Sequence, residues 1–206
     1  GGSVYNDELT ATALSSPAAV KVFKTWTNFY KKYKLNPDIN FYQRFRVGTV
    51  PLGIAGYSQY LTFSAAAPEI ADKWSVYELP GTENENGGIS SICAGSGTGC
   101  AIMKSSKNKN AAWEFIKWWV SADTQYSYSF NCEALLGVSG RIMTANVSAL
   151  SRLSWDRKSL DVIMKQWDNV REIEEVPGSY YVSRSIDQAF WAVYNGEKSA
   201  KEAITE

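Results

Sequence analysis

Apolar residues recur at three- and four-residue steps through Val20, Phe23, Trp26, Tyr30 and Tyr33, a spacing that predicts an amphipathic helix. Ser16 before Pro17 supplies its start, with the hydroxyl as cap and the proline in the first turn. Asn36-Pro37-Asp38 supplies its end. Lys21, Lys24, Lys31, Lys32 and Lys34 lie mostly off the stripe and read as a solvated face rather than a nucleic-acid patch. The same period predicts a helix over 110–120, with Ala112, Phe115, Ile116 and Trp119 on one side, and a second from Ser121 containing Gln125, Tyr126 and Phe130. Leu160, Ile163, Met164, Trp167 and Val170 define another. Ser183 is the expected cap of a helix whose stripe is Ile186, Ala189, Phe190 and Val193, closed by Gly196. Ser199 and Glu202 have the spacing of a capping box for a last helix, which stops mid-pattern at Glu206.

Between these helices the pattern shortens. Val50-Pro51-Leu52-Gly53-Ile54-Ala55-Gly56 is an apolar run bounded by glycines and reads as a buried strand, with the chain emerging at Tyr57 to Tyr60. Trp74 to Leu79 alternates and stops at Pro80-Gly81, a strand and a turn. After a polar loop over 82–88, Ile89 to Met103 reads as two short strands around Gly95-Ser96-Gly97-Thr98-Gly99. That glycine-rich segment lacks the Lys-Ser/Thr pair of a nucleotide phosphate loop, and no long helix follows at once. It reads as a hairpin tip. Val176-Pro177-Gly178 then presents Ser179-Tyr180-Tyr181-Val182 as an exposed aromatic loop.

Composition narrows the chemistry. In 206 residues, 21 Lys+Arg balance 21 Asp+Glu, and histidine is absent. The balance argues against a phosphate-backbone binder, so no nucleic-acid partner is expected. The missing histidine removes serine–histidine and cysteine–histidine nucleophile schemes and every His-ligated metal site. No apolar run approaches the ~20 residues of a membrane helix. Three cysteines are an odd number, so one at least is unpaired within the chain. Cys93 and Cys100 flank the glycine-rich turn and can face each other across it or stay free; Cys132 reads as a small hydrophobe. Asn146-Val147-Ser148 fits a glycosylation sequon and is read as a chance match. The opening Gly1-Gly2-Ser3 reads as that of a processed product or of a piece of something longer. Aromatic content is the unusual figure: 8 Trp, 12 Tyr and 8 Phe, more rings than a core and its helices need. Rings left over on loops beside polar residues suit a sugar- or peptide-binding cleft.

Four stretches, in this order, carry a family resemblance. They are Phe45-Arg46-Val47-Gly48 with Val50 to Tyr57; Trp74 to Gly81; Ser106-Lys107-Asn108 before Ala111 to Trp119; and Glu175 to Tyr181 with Arg184. Together they resemble the maltose-binding-protein-like extracellular solute-binding proteins, the capture subunits of ABC sugar importers. The neighbourhood of Trp155 and Val176-Pro177-Gly178 is similar to large lipid-anchored members from Gram-positive bacteria. The resemblance implies an α/β, periplasmic-binding-protein type II-like, two-lobed fold, present here as an incomplete C-terminal fragment. Residues 1–79 and 152–206 would be C-terminal-lobe segments and 80–151 a segment of the N-terminal lobe. It further implies a non-enzymatic, monomeric sugar or oligosaccharide binder without a cofactor, working with ABC permease subunits and held at the cell surface by a part of the parent protein outside this chain.

Sugars present C–H patches on ring faces and hydroxyls at the rim, so their sites combine aromatic platforms with planar hydrogen-bonding groups. The resemblance places Tyr57 at the lip of the cleft; read alone, it is equally a strand-end tyrosine packed on the next helix. Tyr60 is the next candidate. Tyr180 and Tyr181 follow a Pro-Gly turn. Arg184, expected in the first turn of a helix where positive charge is unfavourable, can fork two hydrogen bonds to a guest or pair with Glu174 or Glu175. Arg141 and Trp155 complete the candidates; Trp74 is assigned to the core. A glycoside hydrolase is the competing enzymatic reading, but Glu172, Glu174 and Glu175 are contiguous, unlike two carboxylates facing across a bond. A non-catalytic carbohydrate-binding or sensor module is the third.

Overall fold

The computed structural model describes residues 2–84, 86–95 and 97–206. Helices dominate, joined by strands of two residues each, and the chain divides into two compact units. Glu85 of the polar loop and Ser96 of the glycine-rich tip lie outside the described residues.

The first unit comprises Gly1–Ile39, Asn84–Gly87 and Glu172–Glu206. Helix α1 spans Pro17–Lys31 and is capped by Ser16, whose hydroxyl accepts from the Ala19 amide. It ends before the Asn36-Pro37-Asp38 stop, where Lys34 adopts φ +60°. The expected stripe faces inward through Phe23, Trp26 and Tyr30, whereas Tyr33, past the helix, is exposed. Two helices of the C-terminal region, numbered below in chain order, complete the core. Phe23, Ala189, Phe190, Val193 and Ile204 are buried there, with Trp26 and Tyr30 against Phe190 at centroid separations of 4.7 and 5.1 Å.

The second unit comprises Asn40–Glu83 and Gly88–Arg171. Its first helices are α2 (Phe41–Arg46) and α3 (Tyr57–Ala66). The expected strand over 50–56 does not form, and Leu52 and Ile54 are 83% and 77% exposed. Pro51 lacks an amide to donate, and Gly53 is kept by sterics rather than by a ladder: a Cβ there would lie 2.3 Å from the Phe41 ring. The emerging residues start α3 instead. Its Phe63 gathers Phe41, Tyr42, Phe45 and Trp74 in ring contacts of 4.7–5.8 Å. Trp74 to Glu78 alternates in burial as expected, but the stretch pairs with no strand among the described residues.

Strands β1 (Thr82–Glu83) and β2 (Ile89–Ser90) pair antiparallel; β3 (Cys93–Ala94) pairs in parallel with β4 (Val170–Arg171). The second strand expected within 89–103 is absent beyond the glycines, and Cys93 and Cys100 are both free thiols. Val170, read as the last residue of a helical stripe, belongs to β4. Helix α4 (Lys109–Trp119) half-buries Ala112, Ile116 and Trp119 but leaves Phe115 60% exposed, against expectation. Ser121 caps α5 (Ala122–Leu136). Asn146 caps α6 (Val147–Leu150) and donates to the Val120 carbonyl at 2.9 Å, so its amide is committed to the fold. Helix α7 spans Arg157–Trp167. Near its end Gln166 binds three partners on two segments: its oxygen accepts from the Leu79 amide at 2.8 Å, and its NH2 donates to the Ser91 carbonyl at 3.0 Å and to the Cys93 sulfur at 3.4 Å. Leu150, Leu153, Trp155 and Leu160 are the buried core of this unit. The last helices, α8 (Ser179–Asn195) and α9 (Ala200–Thr205), belong to the first unit; Gly196 closes α8 at φ +85°, and the Ser199–Glu202 capping box opens α9.

Candidate functional site

Four of the seven candidate residues meet in the second unit. Tyr57 and Tyr60 stand one turn apart on α3, and the Trp155 indole lies nearly parallel to both. Its centroid is 5.3 Å from Tyr57 at 19° and 4.9 Å from Tyr60 at 17°. Trp155 is only 8% exposed, and the Trp167 ring of α7 adds a contact to Tyr57 at 5.9 Å. The Arg141 guanidinium sits 5.5 Å from the Trp155 ring. Glu133 holds it there, accepting from Nη2 at 2.5 Å and from Nε at 3.2 Å, while Nη2 also donates to the Ser154 carbonyl at 3.0 Å.

The hydrogen bonds of this stack do not close. Tyr57 Oη and Trp155 Nε1 are buried and have no partner among the described residues; Gln59 Nε2 and Ser129 Oγ of the same unit share that condition. Buried polar groups in proteins are nearly always paired, and leaving one unmade costs about 1–3 kcal/mol. Burial pushes the Tyr57 phenol well above its ordinary value near 10; the Arg141 cation acts in the opposite direction, and Tyr60 adds to the rise. At physiological pH Tyr57 is therefore a neutral donor.

The other three candidates lie in the first unit, on α8. The expected aromatic loop is the first turn of that helix, and the cap is Gly178, not Ser183. The physical reason is local. Gly178 adopts φ +105°, open to glycine and strained for other residues, and the Ser179 hydroxyl accepts from the Val176 amide at 2.9 Å. Tyr5 hydrogen-bonds the same hydroxyl at 2.7 Å. Tyr180 and Tyr181 are 65% and 73% exposed. Starting the helix earlier puts Arg184 in its second turn, which removes most of the conflict with the helix dipole. Arg184 makes no ion pair with Glu174 or Glu175 among the described residues; it donates from Nη1 to Tyr180 Oη at 3.0 Å.

The structure thus forms one cluster from Tyr57, Tyr60, Arg141 and Trp155 and another from Tyr180, Tyr181 and Arg184. Glu133, which orients Arg141, was not among the sequence candidates. It lies eight residues away across a helix end, a separation with no local signature. The exposed acids Glu172, Glu174 and Glu175 form a solvated edge.

Comparison with known proteins places the chain. The family described as bacterial extracellular solute-binding protein matches residues 1–126. No curated protein matches. Among solved structures, an ABC transporter solute-binding protein from Thermotoga lettingae TMO, bound with alpha-D-tagatose, is 24% identical with a TM-score of 0.71; the match covers 100% of this chain and 51% of that one. The maltose-maltodextrin binding protein of Alicyclobacillus acidocaldarius is 18% identical, TM-score 0.65, over 100% and 54%. An ABC substrate-binding protein from Listeria monocytogenes in complex with cycloalternan is 18% identical, TM-score 0.64, over 100% and 51%. The chain therefore spans about half the length of these structures and shares their periplasmic-binding-protein type II fold. With more than half of its residues matched to the family, the chain belongs to the bacterial extracellular solute-binding proteins.

Proposed function

We propose that this chain belongs to the solute-capture component of an ABC importer and that its ligand is a sugar or oligosaccharide. The observation that carries the reading is the unfinished stack. Two buried donors, Tyr57 Oη and Trp155 Nε1, stand on neighbouring parallel rings without acceptors among the described residues. A carbohydrate offers what the two donors lack, hydroxyl oxygens that accept. Arg141, oriented by Glu133, contributes its remaining donor, Nη1. Tyr60 extends the stack. On α8, the exposed Tyr180 and Tyr181 rings and the Arg184 guanidinium are the second set of proposed ligand contacts.

In this reading residues 1–79 and 152–206 are segments of the C-terminal lobe and 80–151 a segment of the N-terminal lobe. The function is binding without catalysis, the partners are membrane permease subunits, and the protein acts as a monomer on the outer face of a Gram-positive membrane through an anchor. Among the described residues, no helix is long and apolar enough to cross a membrane.

Ligand binding to the native state raises apparent stability by mass action, by about 2.7 kcal/mol at a ligand concentration one hundred times Kd. A thermal-shift screen of mono- and oligosaccharides should therefore show a concentration-dependent rise in Tm with at least one of them. Tyr57→Ala and Tyr180→Ala should each weaken that binding by about 1–3 kcal/mol. A flat response across the screen, with an amino-acid and peptide panel producing the shift instead, overturns the sugar assignment.

A further inference from the structure

The dipeptide Asn-Gly occurs twice in the chain, at Asn86-Gly87 and at Asn195-Gly196. A glycine after asparagine has no Cβ to shield its backbone amide, so that nitrogen can reach the asparagine side-chain carbon. Both asparagines are exposed, but the fold treats them differently. Asn195 is the last residue of α8, and Gly196 closes that helix at φ +85°. The Gly196 amide donates to the carbonyls of Ala192 and Val193, and Val193 is a core residue only 4% exposed. Asn195 Nδ2 in turn donates to Glu197 Oε1 at 3.2 Å. Freeing these groups means fraying a packed helix end. Asn86 lies instead on the loop between β1 and β2. Its backbone amide donates to Asn84 Oδ1 at 3.1 Å, while its side chain makes no hydrogen bond among the described residues. The Gly87 amide has one turn bond, to the Asn84 carbonyl at 3.0 Å. Gly87 is exposed at φ +76°, and a Cβ there would meet nothing within 4 Å. A single exposed turn bond of this kind opens at little cost.

We propose that Asn86 is a site of spontaneous covalent modification, through which the chain gains a carboxylate in this loop as it ages, while the fold keeps Asn195 in its amide form. The Gly87 amide nitrogen attacks Asn86 Cγ. The N–Cγ bond forms, the Cγ–Nδ2 bond breaks, and ammonia leaves with the proton of the Gly87 amide. Water then opens the resulting five-membered imide at one of its two carbonyls. Opening at Cγ gives aspartate, and opening at the main-chain carbonyl gives isoaspartate. One water enters and one ammonia departs, with no oxidant or reductant. The formal net charge moves from zero, 21 Lys+Arg against 21 Asp+Glu, to −1. The new carboxylate joins Glu83 and Glu85 in the same stretch. The isoaspartyl form also places an extra main-chain carbon between Glu83 and Ile89, which pair across the two strands. This chemistry uses none of the residues of the capture reading and does not depend on it.

The test is timed incubation of the chain at mildly alkaline pH, read by isoelectric focusing and by peptide mapping with mass spectrometry. In the folded protein, conversion at Asn86 should run at least about tenfold faster than at Asn195. Concentrated urea removes the fold but not the neighbouring residues, so there the two rates should converge to within a factor of about three. Asn86→Gln should remove the principal acidic isoform, because the longer side chain must close a larger ring and does so far more slowly. Asn195→Gln should leave that isoform forming at the wild-type rate. The proposal is overturned by an Asn86 that stays an amide, by an Asn195 that converts as fast in the folded protein, by an acidic isoform that survives Asn86→Gln, or by a rate ratio that persists unchanged in urea.

Discussion

The hydroxyl of Tyr57 sits in a place that costs stability. Its ring is well packed between Trp155 and Trp167, yet Oη makes no hydrogen bond among the described residues. Tyr57→Phe keeps the ring and removes the orphan, so the variant should be more stable by about 1 kcal/mol in urea unfolding while losing ligand-dependent stabilisation. The same burial sets a pH response. The folded-state pKa is raised above the unfolded value near 10, so the unfolded chain releases this proton first. The contribution is fully present below about pH 10 and is lost as pH rises toward the raised value. Tyr57→Phe should flatten that alkaline loss; an identical alkaline profile in both proteins would assign it to other groups. At this scale the sequence was informative about residue type and poor about surroundings. Tyr57 and Trp155 were legible as candidates, but their mutual stacking joins positions 98 residues apart.

At the level of elements, helix starts with a side-chain cap and a clean stripe were readable, because both signals are local. Ser16 and Pro17 announce α1, Ser121 announces α5 and Ser199 with Glu202 announces α9. Removing such a cap leaves an amide of the first turn unmet, and Ser16→Ala should destabilise the protein by about 1 kcal/mol, measured as a shift of the urea midpoint at unchanged slope. Strands were the failure, for an equally physical reason. An apolar run such as Val50 to Gly56 specifies that it can be buried in a sheet, not that an edge stands beside it. Along α8 the misreading was finer. Ser183 has the chemistry of a cap, but Gly178 and the turn bond between Val176 and Ser179 start the helix earlier, and that moves Tyr180 and Tyr181 from loop to helix and Arg184 from its first turn to its second.

Across the whole molecule, each unit has its own buried centre. Phe190 is 6% exposed in one, and Leu150 is fully buried in the other. Truncating either to alanine should cost about 3–5 and 2–5 kcal/mol respectively, read from chemical denaturation followed by circular dichroism; a loss near zero at either position would mean that the corresponding core is not formed. The general class was legible from the order of four short motifs, because that order reflects a chain path. The partition into Gly1–Ile39, Asn84–Gly87 and Glu172–Glu206 on one side and Asn40–Glu83 with Gly88–Arg171 on the other depends on non-local packing that no window of sequence contains. The amide of Gln166 shows what this means for a chain being made. The Leu79 amide it receives lies 87 residues earlier and the Ser91 carbonyl 75 residues earlier, and the strand paired with β3 begins at Val170. At a ribosomal pace of roughly 5–20 residues per second, Leu79 waits about 4–17 s for its partner to be synthesised. Throughout that interval the Leu79 amide and the β3 edge stand open in the nascent chain, and it is then, rather than in the finished fold, that a chaperone has most to hold.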